Sequence, residues 1–115
     1  MTQASVDALY VVASRQTVAS IPRIVDFASK DKLPLVGGWG AWAQAGGLLS
    51  YGPNVGAVVR NAAAYVDKIF KGAKPGDLPV QQPTRFELLI NLRTAKALGL
   101  SIPESFLLRA DKVIE

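Results

Sequence analysis

Hydroxyl, guanidinium and amide groups are concentrated directly after the first apolar run of the chain. Ser14, Arg15, Gln16 and Thr17 follow the run from Ala8 to Ala13. Because open α/β sheets bind ligands outside the carboxyl ends of their strands, these groups could hold a small polar molecule, and Arg15 could pair with a carboxylate. The simpler alternative is that Ser14 and Thr17 cap the following helix while Arg15 is solvated.

A glycine-rich segment carries both tryptophans. Trp39 and Trp42 are three residues apart, and aromatic rings on such a loop suit stacking on a planar ligand, whereas burial against another lobe or subunit would explain them equally well. Residues 38–43 also match the G-x-G-x-x-A dinucleotide pattern, which expects an acidic residue roughly twenty positions on. The next acidic residue is Asp67, so we disfavour nucleotide binding. Tyr51 has the same two interpretations as the tryptophans.

The composition excludes several kinds of chemistry. With no Cys and no His, the chain cannot supply a thiolate nucleophile, a Cys/His zinc site or an imidazole base. It has 13 Lys and Arg against 9 Asp and Glu, a net charge of +4, but the basic residues are scattered. Their closest group, Lys68, Lys71 and Lys74, falls at a predicted helix end, where cations are favourable. We predict no catalytic residue, no metal, no cofactor and no nucleic-acid partner.

The uncharged segment from Leu33 to Val59 is long enough to raise the question of a membrane span. Its seven Gly and two Pro, together with Gln44 and Asn54, are unfavourable in lipid, and we predict no span. Met1 to Ser5 contains no basic residue and is followed by Asp7, so the start of the chain does not look like a secretory signal.

Short apolar runs predict strands, and helical periodicity predicts the elements between them. Strands are expected at residues 8–13, 33–36, 48–51 and 86–90, and the first of them should be buried on both faces. Helices are expected at about 20–29, 55–71 and 92–98, and from a capping box at Ser101 to Glu104 through Leu108. Asn54 should cap the helix at 55–71, which has one apolar, buried face and ends at Gly72, and Asn91 should cap the helix at 92–98. Residues 74–84 are expected to be an extended connector. The initial strand, helix and strand predict a parallel pair. The fold class is therefore α/β, a partial doubly wound sheet of about four strands flanked by helices.

Four stretches of the chain resemble the C-terminal portion of an ABC-transporter substrate-binding protein of the two-lobed periplasmic kind. They are residues 6–12 (VDALYVV), 33–37 (LPLVG) with 45–52 (AGGLLSYG), 69–72 (IFKG) and 90–103 (INLRTAKALGLSIP), the last being the most specific. The resemblance covers nearly the whole chain but less than half of such a protein.

The resemblance implies a fold and a site. It implies a partial type I periplasmic-binding-protein sheet, whose ligand lies in the cleft between two lobes. The positions that match the ligand loops are Ser14, Arg15, Gln16 and Thr17, then Gly38 and Trp39, then Ser50 and Tyr51. Members often carry an acidic residue and an amide in the first loop, whereas this chain has Arg15 there, which favours an anionic ligand.

The resemblance also implies a function without catalysis. The chain is expected to be part of the solute-binding component of an ABC importer, periplasmic or extracytoplasmic, with an amino acid or small organic anion as ligand and a permease as partner. Residues 1–115 would form one α/β fragment. Within it, residues 6–52 would be the ligand-lobe portion, residues 53–73 a long helix, and residues 74–115 the connector, a strand and the C-terminal helices. The apolar helix face predicts self-association. The alternatives are a stand-alone flavodoxin-like interaction or regulatory module and a small nucleotide-binding enzyme domain.

Overall fold

The computed structural model describes residues 6–115; the predictions about Met1 to Ser5 lie outside this range. Five strands and six α-helices follow one another along the described chain. In chain order they are β1 (Leu9–Val11), α1 (Arg15–Ala19), α2 (Ile21–Lys30), β2 (Leu35–Gly37), α3 (Gly40–Gln44), β3 (Leu49–Pro53), α4 (Val55–Phe70), β4 (Phe86–Asn91), α5 (Leu92–Ala97), α6 (Glu104–Leu107) and β5 (Lys112–Ile114). A short 3-10 turn, Pro75–Asp77, lies in the connector between α4 and β4.

The strands form one mixed sheet in the order β1-β2-β3-β4-β5. β1, β2 and β3 are parallel, β4 runs antiparallel to β3, and β5 is parallel to β4. The carboxyl ends of the first three strands therefore meet the amino end of β4 at one edge of the sheet. The predicted α/β class and the initial parallel pair are confirmed.

The main core cluster lies on one face of this sheet, and it includes the ring of Trp42. Alternate residues of the strands, including Val11 and Leu35, pack with Ala28 of α2 and with the fully buried ring of Trp42. The ring lies against Gly37, where an added Cβ would be 2.3 Å from the ring Cγ atom. A glycine in β2 thus makes the space that lets α3 pack directly on the sheet.

The long helix α4 is built as predicted but is not buried. Asn54 caps it by accepting a hydrogen bond from the Ala57 backbone N–H at 2.7 Å, and Gly72 ends it with a φ of 102°. No residue of α4 is buried, and Val59 is 61% exposed. Within residues 6–115 no helix or strand makes an extensive contact with that face, so its burial stays a prediction for the complete protein. The Cα radius of gyration is 17.8 Å, against about 13 Å for a compact domain of this size.

Three expectations need correction. The first strand is not buried on both faces: Tyr10 and Val12 are 66% and 69% exposed, because the described chain covers only the side of β1 that faces α2. The sheet has five strands instead of four, because β5 at the C-terminus adds a short strand that the sequence pattern does not predict. The capping box at Ser101 does not form, because Pro103 is the N-cap of α6 and no side chain bonds to that cap.

The described helices offer no candidate for a membrane span. No helix within residues 6–115 is both long enough and apolar enough to cross a bilayer.

Replacing Trp42 with Ala tests the assignment of the core. Removal of a fully buried indole leaves a cavity beside Gly37, and the free energy of unfolding should fall by about 3–5 kcal/mol. Urea denaturation followed by circular dichroism measures this, with Trp42→Phe giving a smaller loss if the Ala variant does not fold. Phe70→Ala is the control, because Phe70 is 86% exposed and should change stability by less than about 0.5 kcal/mol. Equal effects at the two positions would contradict the assignment.

Candidate functional site

The candidate site is the edge of the sheet that is formed by strand ends, where β1, β2 and β3 end and β4 begins. Residues 12–17, 37–40 and 50–54 reach this edge from three parallel strands. Loops at the carboxyl ends of parallel strands are the usual ligand-binding part of open α/β sheets. All eight residues predicted as ligand contacts lie on these three segments.

The hydroxyl groups of the first segment are used in capping a helix. The Thr17 backbone N–H donates to Ser14 Oγ at 3.2 Å, and the Ser14 backbone N–H donates to Thr17 Oγ1 at 2.8 Å, which is a reciprocal capping box. Thr17 Oγ1 also donates to the Val12 carbonyl at 2.9 Å. Arg15 and Gln16 are exposed on the first turn of α1, so their side chains are the ones in this segment that can reach a ligand.

The second and third segments touch through their backbones. An added Cβ on Gly52 would lie 1.6 Å from the Gly38 carbonyl oxygen, so the position does not admit a side chain. An added Cβ on Gly38 would lie 4.0 Å from the Tyr10 hydroxyl. The missing side chain of Gly52 thus lets the two strand ends approach each other, and the Tyr10 hydroxyl lies near Gly38.

The two tryptophans have different environments. Trp42 is completely buried in the core, whereas Trp39 is half-buried, forms the N-cap position of α3 and packs against the core cluster. Both rings therefore contact the same cluster of core residues. Only Trp39 retains a surface that a ligand could contact.

Strand alternation separates Ser50 from Tyr51. Ser50 points to the core side and is fully buried, and neither its Oγ atom nor the buried Trp42 Nε1 atom has a hydrogen-bond partner among the described residues. Tyr51 is 61% exposed on the opposite face, where its ring stacks on Phe86 with centroids 5.9 Å apart and planes at 26°. Tyr51 is therefore available to a ligand, whereas the predicted contact residue Ser50 is enclosed in the core.

The structure adds an acidic residue and an amide that the sequence did not assign to the site. Glu87 Oε2 accepts a hydrogen bond from Asn54 Nδ2 at 2.6 Å, and its Oε1 atom lies 3.2 Å from the place of an added Cβ on Gly40. This half-buried carboxylate links the start of α4 to the start of α3. An acidic residue inside the apolar run of β4 is the signal that could have identified it.

Aromatic and charged groups therefore share this edge. Tyr10, Tyr51 and Phe86 project from the sheet face opposite the core, Arg15 carries a positive charge and Glu87 a negative one. Glu87 pairs with Gly52 and so lies on the core face of β4, whereas the three aromatic rings lie on the other face, where they offer apolar surface to a ligand. Within residues 6–115 no group of three acidic side chains could hold a metal ion.

Comparisons with known proteins point to one family. The family model for "ABC transporter substrate binding protein" matches residues 1–114. A tyrosine-binding protein of Clostridioides difficile is 27% identical over 95 residues, covering 83% of this chain and 28% of that protein.

Two crystal structures have the same fold over nearly the whole chain. A conserved domain protein from Vibrio cholerae is 30% identical with a TM-score of 0.88, covering 93% of this chain and 36% of that one. The ABC domain in complex with L-Trp from Streptococcus pneumonia is 31% identical with a TM-score of 0.89, covering 95% and 37%. The chain thus spans about a third of the length of these relatives.

Gly52→Ala tests whether the backbone contact at Gly38 assembles the edge. The added methyl group cannot fit beside the Gly38 carbonyl, so the strand ends must separate and the free energy of unfolding should fall by about 1–3 kcal/mol or more. Gly76→Ala is the matched control, because nothing lies within 4 Å of an added Cβ there. Chemical denaturation of both variants measures the difference. A Gly52→Ala variant as stable as Gly76→Ala would show that the contact is unimportant.

Proposed function

The chain belongs to the family of ABC transporter substrate-binding proteins, and from this we propose that it forms part of a protein that binds a small solute between two lobes and delivers it to an ABC permease. Proteins of this family bind solutes and do not catalyse reactions, so the chain is not an enzyme. The observation that carries the proposal is the clustering of aromatic and charged side chains at the edge where β1, β2 and β3 end. An extracytoplasmic location follows from the same role.

The proposed solute is an aromatic amino acid. Two relatives are described as binding tyrosine and L-Trp, and the exposed, stacked pair of Tyr51 and Phe86 provides aromatic surface for such a ring. In this proposal the Arg15 guanidinium binds the solute carboxylate. A small organic anion is the second candidate, because the first loop supplies Arg15 and no acidic side chain for an ammonium group.

Three segments of the chain would form different parts of the binding protein. Residues 6–52 supply one wall of the cleft through the loops after β1, β2 and β3. Residues 53–73 carry α4 away from the sheet, and residues 74–115 return to it with β4, α5, α6 and β5. Because one wall covers only part of a solute, the opposite wall must come from the remainder of the complete protein.

Calorimetric titration tests the solute. The complete protein that contains this chain should bind L-Trp or L-Tyr, and the 115-residue chain alone should bind at least about a hundredfold more weakly, because a solute held on one side keeps only part of its contacts. The panel includes indole-3-propionate, which lacks the ammonium group. If no member of the panel binds the complete protein, the proposed function is wrong.

Arg15→Gln tests the carboxylate contact in the same protein. Loss of a charge-assisted hydrogen bond should weaken L-Trp binding by about 10- to 100-fold, while binding of tryptamine, which has no carboxylate, should be unchanged. Lys96→Gln is the control, since Lys96 is an exposed residue of α5, which follows β4 at the opposite end of the sheet. Unchanged L-Trp binding by Arg15→Gln would remove Arg15 from the site.

We also propose that the isolated chain self-associates through α4. Val55, Val59 and Val66 are each about half or more exposed, and burying such a face in water is favourable at roughly 25 cal/mol per Å². A groove of about 490 Å³ between α4 and the connector adds to this apolar surface. In the complete protein the same face would pack on the other lobe.

Sedimentation measures this association. The 115-residue chain should sediment as a species heavier than its 12.2 kDa monomer, and the double variant Val59→Glu, Val66→Glu should be monomeric because two carboxylates would have to be desolvated. Arg60→Glu, on the same helix, should leave the association unchanged. A wild-type chain that stays monomeric at high concentration would contradict the proposal.

A further inference from the structure

A second cavity, of about 450 Å³, lies between α2 and α5 at the opposite edge of the sheet from the candidate site. Its apolar lining includes Val25, Leu33 and Leu98, and its polar lining includes Lys32, Arg93 and Thr94. The volume is within the range of about 300–1,000 Å³ that is usual for small-molecule sites. The solute-binding role at the other edge makes no use of this cavity.

The charge of this cavity is positive. Lys32 follows α2 and Arg93 lies in the first turn of α5, and no acidic side chain lines the cavity within the described part of the chain. Neither cation forms an ion pair with a carboxylate side chain of residues 6–115, whereas nearby Lys30 is paired with Asp26 at 2.7 Å. Arg93 Nε donates to the main-chain oxygen of Glu115, the last residue of the 115-residue chain, and its two Nη groups form no hydrogen bond with residues 6–115.

Lys32 has a backbone conformation that normally belongs to glycine. Its φ is 52°, and the backbone N–H groups of Lys32 and Leu33 donate to the Ser29 and Ala28 carbonyls at 3.2 and 2.8 Å. This is the Schellman arrangement that ends many helices, with the left-handed residue usually being glycine.

The same arrangement recurs at the ends of three other helices of this chain. Gly46, Gly72 and Gly99 occupy the corresponding positions after α3, α4 and α5, with φ values of 119°, 102° and 71°. The copies at Lys32 and Gly46 both border the cavity, and Lys32 is the one position of the four that carries a side chain. Since a lysine there is conformationally unfavourable, its side chain is best explained by a function at the cavity.

We propose that this cavity binds a small amphipathic carboxylate. The carboxylate lies between the Lys32 ammonium and the Arg93 guanidinium, and the apolar part of the molecule lies against Leu33 and Leu98. Charge complementarity selects the anion, and the apolar lining selects a molecule with a hydrocarbon or aromatic portion. This proposal is independent of the proposed function.

Octanoate is the probe, observed by ¹H–¹⁵N correlation spectra of the 115-residue chain. Octanoate should shift the backbone amides of Ser29, Lys32, Gly46 and Thr94 in a saturable manner, and octanol should bind at least about tenfold more weakly because it lacks the charge. Shifts confined to α4 and the connector, or equal binding of octanol, would overturn the proposal.

Two substitutions separate a binding role from a structural role. Lys32→Gly should raise the melting temperature, because it relieves the left-handed conformation, and at the same time weaken octanoate binding at least about tenfold. Arg93→Gln should weaken octanoate binding similarly. Lys96→Gln, an exposed residue of α5 that does not line the cavity, is the control and should bind as wild type. Octanoate binding that survives both Lys32→Gly and Arg93→Gln would overturn the proposal.

Discussion

The ring of Trp42 occupies the space left by the missing side chain of Gly37, and the arrangement of the sheet edge depends on this contact. With the indole fully buried, α3 lies directly on β2, and the Gly47 backbone N–H donates to the Trp42 carbonyl at 2.8 Å as the chain turns into β3. Leu48 in turn donates to the Leu35 carbonyl at 2.7 Å. These two backbone hydrogen bonds, formed beside the buried ring, set where β3 starts relative to β2, and so which of its residues reach the edge.

The register set in this way determines which polar groups a solute can meet. Gly37 pairs with Ser50 across the β2 and β3 ladder, so Ser50 has to point into the core beside the indole. Its neighbour Tyr51 then points to the other face, where it meets Phe86 of the antiparallel strand β4. A shift of one residue would exchange these two roles, because side chains alternate along a strand. The buried indole and the exposed aromatic pair are thus parts of one constraint.

The sequence predicts much of this fold because its signals are local. Asn54 and Asn91 cap α4 and α5 as expected, accepting hydrogen bonds from Ala57 and Thr94, and Gly72 ends α4. The features that the sequence does not predict depend on tertiary packing. The periodicity of α4 shows that one face is apolar but does not show what covers it. The Ser101 capping box does not form, because α6 has its N-cap at Pro103 instead. β5 has only three residues and gives too short a pattern to detect.

The same distinction explains the outcome at the candidate site. The positions of Ser14 and Gly38 after apolar runs place them correctly at strand ends, since that requires only the order of the elements, whereas β3 continues beyond Tyr51 to Pro53. The capping box that occupies both Ser14 and Thr17, and the hydrogen bond that brings Glu87 to Asn54 at 2.6 Å, depend on contacts between side chains and between distant segments. Sequence patterns therefore locate the edge, whereas the three-dimensional contacts decide that Arg15, Gln16 and the aromatic rings are its accessible groups. The Ser14 and Thr17 side chains are less available, because they already form the capping hydrogen bonds of α1.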